Sequence, residues 1–401
     1  MNRRYCSAQM WRVWSDDHLY ALWAEVEVRV LRAQAAAGVV PAVWVDRAEQ
    51  EPAPDAEVVA EYEQIHLHQM VAFLDAWGPR NVHIGVASSD VQDLALWTQL
   101  CEATDLIGEA LWLADGALGR LVERAAGMST SARTHGQLAQ VVDWGHLPVD
   151  HLLGLRRAWN RLMRAKTELC ENAKLRGATG NYSAPAVTPG IEQAVLEGLG
   201  FTPTDSATQV APRDVVVAWA QAVVGVALAA RRVATQIRLD VQTGVHAATL
   251  EVRGEGSSSM PHKTNPAAAE QVCGLSSVVV ALAGALDSTV ALWGHRDLTN
   301  SSIERVTLPQ IAAYTEHLLL ALATAVDQVQ PQHSPGAHHD SAASLAAAQT
   351  RGLGYFAARA AVKRGYRADR EDTGWLGQLT RRLGLDGVRD HRNEQENGRE
   401  R

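Results

Sequence analysis

The decisive stretch of this sequence is Gly256-Ser257-Ser258-Ser259-Met260-Pro261-His262-Lys263-Thr264-Asn265-Pro266. Three consecutive serines supply hydroxyl groups, Lys263 supplies a positive charge and Asn265 supplies an amide. Glycines at 254 and 256 permit backbone conformations that other residues resist, and the two prolines fix φ and remove backbone donors. This combination predicts an active-site loop that holds an anion and closes over its substrate. The alternative is a Ser/Gly-rich connector with an incidental lysine.

The composition is that of a globular, helix-rich protein. The chain has 401 residues, of which 47% are hydrophobic and 20% charged, so it can bury a large core. Phenylalanine occurs only three times, and the abundance of Ala and Leu favours helices over sheets. A net charge of −8 argues against general nucleic-acid or anionic-membrane binding. The four cysteines form no C-x-x-C pair, so we expect no zinc site, no disulfide framework and a cytoplasmic location.

The hydrophobic periodicity predicts an all-α protein of three domains. We assign an N-terminal helical domain to residues 1–87, a central bundle of long helices to 88–326, and a C-terminal helical domain with a disordered tail to 327–401. Long helices are expected over about 91–126, 146–176, 214–242, 266–292 and 305–326. A polar, proline-containing loop is expected over 43–57, followed by one helix over 61–77. The apolar run 215–230 is predicted to be a buried bundle helix.

The decisive loop resembles the signature of the fumarase/aspartase superfamily, Gly-Ser-Ser-x-x-Met-Pro-x-Lys-x-Asn or one residue shorter. Its Pro-His-Lys variant is similar to the adenylosuccinate lyase branch. The resemblance extends over about residues 1–326 and implies a three-domain helical fold. It also implies that Ser257 is the catalytic base and that Ser258, Lys263 and Asn265 bind substrate.

Two further segments carry the resemblance and imply site residues. His83-Ile84-Gly85 and Ser88-Ser89-Asp90 resemble the family's His-x-Gly and Thr-Ser-x-Asp segments, which implies that His83, Ser88 and Ser89 bind substrate. On local grounds Ser89 with Gln92 is a capping box at a helix start, which is the structural alternative. Ala87 stands where the family usually has threonine, so a hydroxyl expected to bind a substrate carboxylate is missing.

Arg133-Thr134-His135-Gly136-Gln137 resembles the family's Arg-Thr-His-Gly run, in which the histidine is the general acid. Thr134 is then a substrate contact. Glu270 matches the carboxylate that pairs with this histidine, raises its basicity and orients its ring. On local grounds alone, a core or surface histidine is the alternative. The departure Val141-Val142-Asp143, where the family has Pro-Thr-Thr, changes the local polarity.

His68 matches the histidine of the family's His-Asp-Val-x-Ala-Phe segment and is predicted to assist catalysis or to bind the base of a nucleotide. Gln69 replaces the aspartate of that segment, which removes a charge. His66 and His68 are two residues apart and would not face one ion on a helix, so we predict no metal site and no cofactor.

A phosphate pocket is implied by the second long block of the same branch, Trp293 to Arg305. Family phosphate contacts match Arg296, Ser301 and Arg305, and the N-terminal Arg4-Tyr5 resembles another phosphate-holding pair. Two guanidinium groups and a hydroxyl suit a dianionic phosphate. A salt-bridged helix start is the structural alternative. Gln209 lies in a further family-like segment and is predicted to bind substrate.

The resemblance implies β-elimination of fumarate from an N-succinyl nucleotide, with adenylosuccinate as the first candidate substrate. Its implied partners are a small-molecule substrate and three further copies of the chain, in a homotetramer with shared active sites and without nucleic acid or membrane. A paralogue that releases fumarate from another N-succinyl compound is the first alternative, which the departures at Ala87, Gln69 and 141–143 motivate. A non-catalytic homologue that has kept the fold is the second.

Overall fold

The computed structural model describes residues 2–252, 260, 262–333 and the four single residues 346, 349, 356 and 359. Within these residues the chain is mostly helical, which confirms the predicted fold class. The helices are α1 Ala8–Val13, α2 Asp16–Ala36, α3 Ala42–Gln50, α4 Ala56–His66, α5 Gln69–Trp77, α6 Ser88–Arg124, α7 His146–Cys170, α8 Pro189–Leu199, α9 Arg213–Asp240, α10 Ala267–Leu286 and α11 Thr299–Asp327. Short 3₁₀ turns cover Arg3–Tyr5 and Asp287–Thr289.

Two small antiparallel sheets, which the sequence did not suggest, accompany the helices. Strands β1 (Ser129–Thr134) and β2 (Gln137–Asp143) form a hairpin, and β3 (Ala248–Leu250) pairs with β4 (Val329–Pro331). Nearly all of the predicted C-terminal domain beyond β4 lies outside the described residues. The division into three domains therefore stays a prediction.

The chain forms two compact units by its internal contacts. Unit 1 comprises Met1–Leu111, Arg157–Leu228 and Gly274–Leu319, and unit 2 comprises Trp112–Arg156, Ala229–Cys273 and Leu320–Arg401. Each boundary between them falls inside one of the five long helices α6, α7, α9, α10 and α11. These are the five long helices that the periodicity predicted.

Large aromatic side chains form part of the core of unit 1, and two of its buried indoles have hydrogen-bonded N–H groups, whereas the Trp23 N–H has no partner among the described residues. Trp97 and Trp219 are fully buried, and their indole N–H groups donate to the Leu169 carbonyl and the Thr104 hydroxyl at 2.8 Å each. In unit 2, the buried Trp144 donates in the same way to the Ala247 carbonyl at 2.9 Å. An indole can be buried at low cost only when its N–H has such a partner.

Helix α9 shows why an apolar run need not be a membrane span. By length and composition alone α9 and the segment Ala267–Thr289 match membrane-spanning helices, a weak criterion that buried core helices also meet. In α9, 56% of the most apolar window is buried inside the protein. The apolar character of the run 215–230 is thus accounted for by core packing, as predicted.

Two predictions for the N-terminal region were wrong. Residues 43–57 are not a loop, because Val45 and Ala48 lie one helical turn apart and are buried, and Pro52 and Pro54 follow α3 rather than interrupt it. Residues 61–77 are not one helix, because Leu67 adopts a left-handed conformation with φ 53°. The His68 side chain then accepts the Val71 N–H at 3.4 Å and begins α5.

A buried ion pair in unit 1 joins three chain segments. Lys174 and Asp90 have no solvent-exposed side-chain surface, and their Nζ and Oδ1 atoms are 2.7 Å apart. The remaining lone pairs of Asp90 accept backbone N–H groups of Arg176 at 3.0 Å, Gly177 at 3.0 Å and Ala87 at 2.8 Å. The Lys174 ammonium also donates to the Gln209 carbonyl. The pair therefore fixes the segments around 87–90, 174–177 and 209 against one another.

We predict that Lys174→Met lowers the free energy of unfolding by about 3–5 kcal/mol, because it leaves the Asp90 carboxylate buried without its counter-charge. The control is Arg32→Met, which removes an exposed pair with Glu49 (side chains 57% and 37% exposed) and should cost less than about 1 kcal/mol. Urea unfolding of both variants measures the difference. Equal midpoints for the two variants would contradict the structural role of the buried pair.

Candidate active site

The predicted site residues fall into both compact units. Unit 1 holds Arg4, Tyr5, His68, His83, Ser88, Ser89, Gln209, Arg296, Ser301 and Arg305, and unit 2 holds Thr134, His135, Lys263, Asn265 and Glu270.

One cavity in unit 1, of about 640 Å³, gathers most of the first group. The predicted residues that line it are His68, His83, Ser88, Ser89, Gln209, Arg296, Ser301 and Arg305. These residues come from five separate parts of the chain. Several of them lie at helix starts, and the buried Lys174–Asp90 pair holds some of these segments together. A smaller space of about 230 Å³ shares Arg296, Ser301 and Arg305 and is otherwise lined by both apolar groups, such as Trp14 and Leu19, and charged groups, such as Asp93.

The start of α6 forms one wall of the cavity. The helix begins at Ser88, so Ala87 occupies the capping position, and the Asp90 side chain reaches back to the Ala87 N–H. The predicted capping box of Ser89 with Gln92 is therefore wrong by two residues. Ser89 instead donates its hydroxyl to the Gln209 carbonyl at 2.7 Å. Ser88 is half-buried and lies in the first turn of α6, where free backbone N–H groups favour the binding of an anion.

The segment opposite this helix start depends on glycine. Gly180 has φ 73°, and a Cβ atom there would lie 2.3 Å from the carbonyl oxygens of Ala207 and Thr208. Only glycine fits such a close approach. It allows the Gln209 side chain to donate to the Ala178 carbonyl at 2.9 Å, so that Gln209 is held at the cavity wall.

Arg296, Ser301 and Arg305 form a cationic corner of the cavity. Arg296 precedes α11 and donates to the Asn300 amide oxygen at 3.0 Å and to the Ser301 hydroxyl at 3.1 Å. Arg305, one turn after Ser301, donates to the Gln69 amide oxygen at 2.6 Å. All these acceptors are neutral, and burial lowers the pKa of Arg296 because its charge is partly desolvated. Both guanidinium groups are thus suited to pair with an anionic ligand.

Arg213, a neighbour that sequence reasoning missed, has a different role. It is buried and donates to Asp93 at 2.6 Å and to Glu304 at 2.9 Å. Burial alone lowers the pKa of Arg213, but the two carboxylates reverse this and raise it. Its charge is therefore neutralised internally, which leaves the corner formed by Arg296 and Arg305 as the place for a ligand anion. The family resemblance singled out Arg296 and Arg305 as phosphate contacts, but no sequence pattern showed that Arg213 is neutralised by Asp93 and Glu304.

His83 is held by a buried carboxylate that was also missed. Glu27 on α2 is fully buried, and its two oxygens accept the His83 backbone N–H at 2.8 Å and the ring Nδ1 at 2.6 Å. His83 adopts φ 59°, a left-handed conformation that is uncommon for residues other than glycine. Glu27 interrupts the apolar face of α2 between Trp23 and Val30, and this signal could have revealed it. The ring is thereby fixed at the cavity, with Nδ1 committed to Glu27.

The remaining unit 1 residues are placed less centrally. His68 lines the cavity as an exposed residue, and its Nδ1 caps α5, which leaves Nε2 for other contacts. Arg4 and Tyr5 are not among the residues that line the cavity; Arg4 is exposed, and the Tyr5 ring packs edge-on against Tyr314 and His317.

In unit 2, His135 lies at the tip of the β1–β2 hairpin. Thr134 pairs with Gln137, and the two-residue turn between them, His135-Gly136, has φ values of 53° and 73°. Positive φ at both central positions is the mark of the tight hairpin turn whose twist matches the strands. Thr134 and His135 are both exposed, so the hairpin presents the predicted general acid to the outside of this unit.

The decisive loop is only partly described. Ser257 and Ser258 lie outside the described residues. Lys263 is exposed, its backbone N–H donates to the Met260 carbonyl at 3.0 Å, and Asn265 is half-buried just before α10. Glu270 is exposed in the first turn of α10, and among the described residues of this chain it makes no hydrogen bond to His135. Their pairing therefore stays a prediction.

Among the described residues, no group of three or more His, Cys, Asp or Glu side chains is arranged to hold a metal ion. The side chains considered for the chemistry are ones that carry charge or transfer protons. They are the cationic corner, the carboxylate-bound His83 and the exposed His135.

Comparison with known proteins identifies the family. A family model described as "Lyase" matches residues 53–281. The chain is 33% identical to adenylosuccinate lyase of Thermotoga maritima over 81% of this chain and 77% of that protein, and 33% identical to adenylosuccinate lyase of Synechocystis over 80% and 75%.

Solved structures give the same fold. A fumarate lyase from Mesorhizobium superposes with a TM-score of 0.80 at 19% identity, covering 91% of this chain and 87% of that one. A 3-carboxy-cis,cis-muconate lactonizing enzyme from Pseudomonas putida superposes with a TM-score of 0.76 at 24% identity, covering 90% and 85%. At these identities the structures establish the fold alone. The sequence matches carry the assignment further: the chain belongs to the lyase family of the fumarase/aspartase superfamily.

Proposed function

We propose that this chain is a C–N lyase that eliminates fumarate from an N-succinyl nucleotide. Its first substrate is adenylosuccinate, which gives AMP and fumarate, and the succinylated aminoimidazole carboxamide ribotide is the second. The observation that carries the proposal is the cationic corner of Arg296, Ser301 and Arg305 in a cavity large enough for a nucleotide. The similarity to adenylosuccinate lyases supports it.

The chemistry requires removal of a proton from the carbon next to a carboxylate. The resulting aci-carboxylate concentrates negative charge, and its stabilisation by fixed donors is the largest catalytic contribution. In our proposal Ser257 removes the proton, and Lys263 and Asn265 stabilise the charge that develops. A serine hydroxyl needs nearby positive charge to act as a base, which Lys263 supplies. His135 then protonates the leaving nitrogen as the C–N bond breaks.

We further propose that several copies of the chain build each site. His135 and Glu270 are both exposed in unit 2 and make no hydrogen bond to each other among the described residues. Helix α10 also exposes apolar side chains at Val278 and Val280, which a second subunit would cover. A homotetramer with shared sites, as the family resemblance implies, would bring a general acid from one copy to a carboxylate from another.

Two observations favour a second candidate, a lyase that releases fumarate from a different N-succinyl compound. Ala87, without a hydroxyl, caps the helix start that lines the cavity. Gln69 holds Arg305 through a neutral amide, where the family resemblance leads us to expect aspartate. Both changes alter the anion-binding surface, so they bear on which N-succinyl compound fits.

The first experiment is incubation of the purified protein with adenylosuccinate, with AMP and fumarate detected by mass spectrometry. We expect turnover with stoichiometric release of both products. A folded protein that releases fumarate only from other N-succinyl compounds would establish the second candidate. Release from none of them would contradict the proposed chemistry.

Replacement of the proposed base, Ser257→Ala, should lower kcat by about 10³-fold or more, because no other group would remove the proton. The matched control is Ser259→Ala in the same loop, which should retain most of the activity. The measurement is steady-state fumarate release by both variants. A Ser257→Ala variant with undiminished kcat would show that the base is another residue.

Arg296→Ala should raise KM for adenylosuccinate about 10–100-fold with a small change in kcat, because a charge-assisted contact to phosphate contributes about 1.5–3 kcal/mol. The control changes the substrate and not the protein. Succinyladenosine lacks the phosphate, so the wild type and Arg296→Ala should bind it equally well. The same loss of affinity for both compounds would mean that Arg296 does not contact the phosphate.

A further inference from the structure

A pair of cysteines lies in unit 1, outside the cavity. Cys101 on α6 and Cys170, the last residue of α7, place their Sγ atoms 3.5 Å apart, and both side chains are partly exposed. Both thiols are free in this structure. Closing a disulfide would bring the sulfurs to about 2.0 Å, a movement of about 1.5 Å. Side-chain rotation at the end of a helix can supply a movement of this size.

The two thiols are chemically unequal. Either thiol can donate the hydrogen bond that joins the two Sγ atoms. With Cys101 as the donor, this hydrogen bond and a contribution from Lys166 lower the pKa of Cys170 from 9.0 to about 7, although burial opposes it. The same hydrogen bond and burial raise the pKa of Cys101. Lys166, one turn before Cys170, is itself held by Asp105, one turn after Cys101. Thiolate character is therefore favoured at Cys170, with Cys101 as the proton donor beside it.

The other two cysteines lack this arrangement. Burial, with a smaller contribution from Glu316, raises the pKa of Cys6 to about 11. The Sγ atom of Cys273 lies 3.7 Å from the hydroxyl oxygen of Thr235, and an oxygen cannot form a disulfide. Thiolate character and a neighbouring second thiol are the two features of a redox-responsive site. In the part of the chain that the structure describes, Cys101 and Cys170 combine them.

We propose that Cys101 and Cys170 form a thiol–disulfide exchange site whose co-reactant is a low-molecular-weight disulfide. The Cys170 thiolate attacks one sulfur of the co-reactant and expels a thiolate, which takes a proton from water. Cys101 then loses its proton to solvent and attacks Cys170 in the mixed disulfide, which releases the second thiol. Two cysteines are oxidised to one disulfide, and one molecule of co-reactant is reduced to two thiols.

The position of this pair connects it to the wall of the cavity. The Cys170 carbonyl accepts the Thr202 N–H at 2.8 Å, and the chain continues from there to Lys174, which is paired with Asp90 at the start of α6. A disulfide would link the end of α7 to the middle of α6 and so restrain these two segments relative to each other. We expect the oxidised form to unfold at a higher urea concentration than the reduced form.

Oxidised glutathione is the probe for the full-length protein. The wild type should become two hydrogens lighter by intact mass, with residues 101 and 170 cross-linked in the peptide map, and dithiothreitol should reverse the change. The Cys101→Ser variant should stop at one stable glutathionyl group on Cys170. The Cys6→Ser/Cys273→Ser double variant should oxidise like the wild type. Accumulation of a mixed disulfide in the wild type, or reaction only at Cys6 or Cys273, would overturn the proposal.

Alkylation kinetics test whether Cys101 activates the Cys170 thiol or only lies close to it. The rate of Cys170 alkylation should rise with pH with a midpoint near 7 in the wild type, and the Cys101→Ser variant, which keeps a hydroxyl donor, should stay close to it. Cys101→Ala removes the donor and should move the midpoint up towards 9.0. Equal midpoints for the Ser and Ala variants would show that Cys101 does not activate Cys170. None of these readouts depends on the proposed lyase activity.

Discussion

The buried Asp90 carboxylate is the constraint on which the described cavity depends. It accepts four hydrogen bonds, from Lys174 and from the backbone N–H groups of Ala87, Arg176 and Gly177. Two charges with no solvent-exposed surface are tolerated only when each is fully hydrogen-bonded. The start of α6, the segment after α7 and the Gln209 loop are therefore held in one arrangement, and that arrangement forms the wall of the cavity.

The distribution of charge within the cavity follows from which arginines have carboxylate partners. Arg213 is neutralised by Asp93 and Glu304, whereas Arg296 and Arg305 donate to neutral amide and hydroxyl groups. Positive charge therefore remains where a ligand can reach it. A lyase that acts on a phosphorylated N-succinyl compound needs such a corner, which anchors the phosphate while the chemistry takes place elsewhere on the substrate.

The groups assigned to the chemistry itself belong to unit 2. His135 is carried at the tip of a hairpin whose His-Gly turn requires two positive φ angles, and Glu270 is exposed on α10. Exposure of both partners of a predicted acid–carboxylate pair is expected for a site completed by other copies of the chain. The proposed assembly would also cover the apolar side chains of α10 that are exposed in one chain.

The sequence by itself determined the family, the five long helices and half of the residues that line the cavity, because motifs and helical periodicity are local properties. The sequence misplaced the capping box at Ser89 and missed the break at Leu67. In each case a single hydrogen bond decides where the helix begins: the Ala87 N–H donates to Asp90, and the Val71 N–H donates to His68. Only the tertiary structure decided that Glu27 holds His83, that Arg213 is neutralised and that Cys101 meets Cys170. These contacts join residues 56 to 120 positions apart, and their energies depend on burial and distance, which no local pattern records.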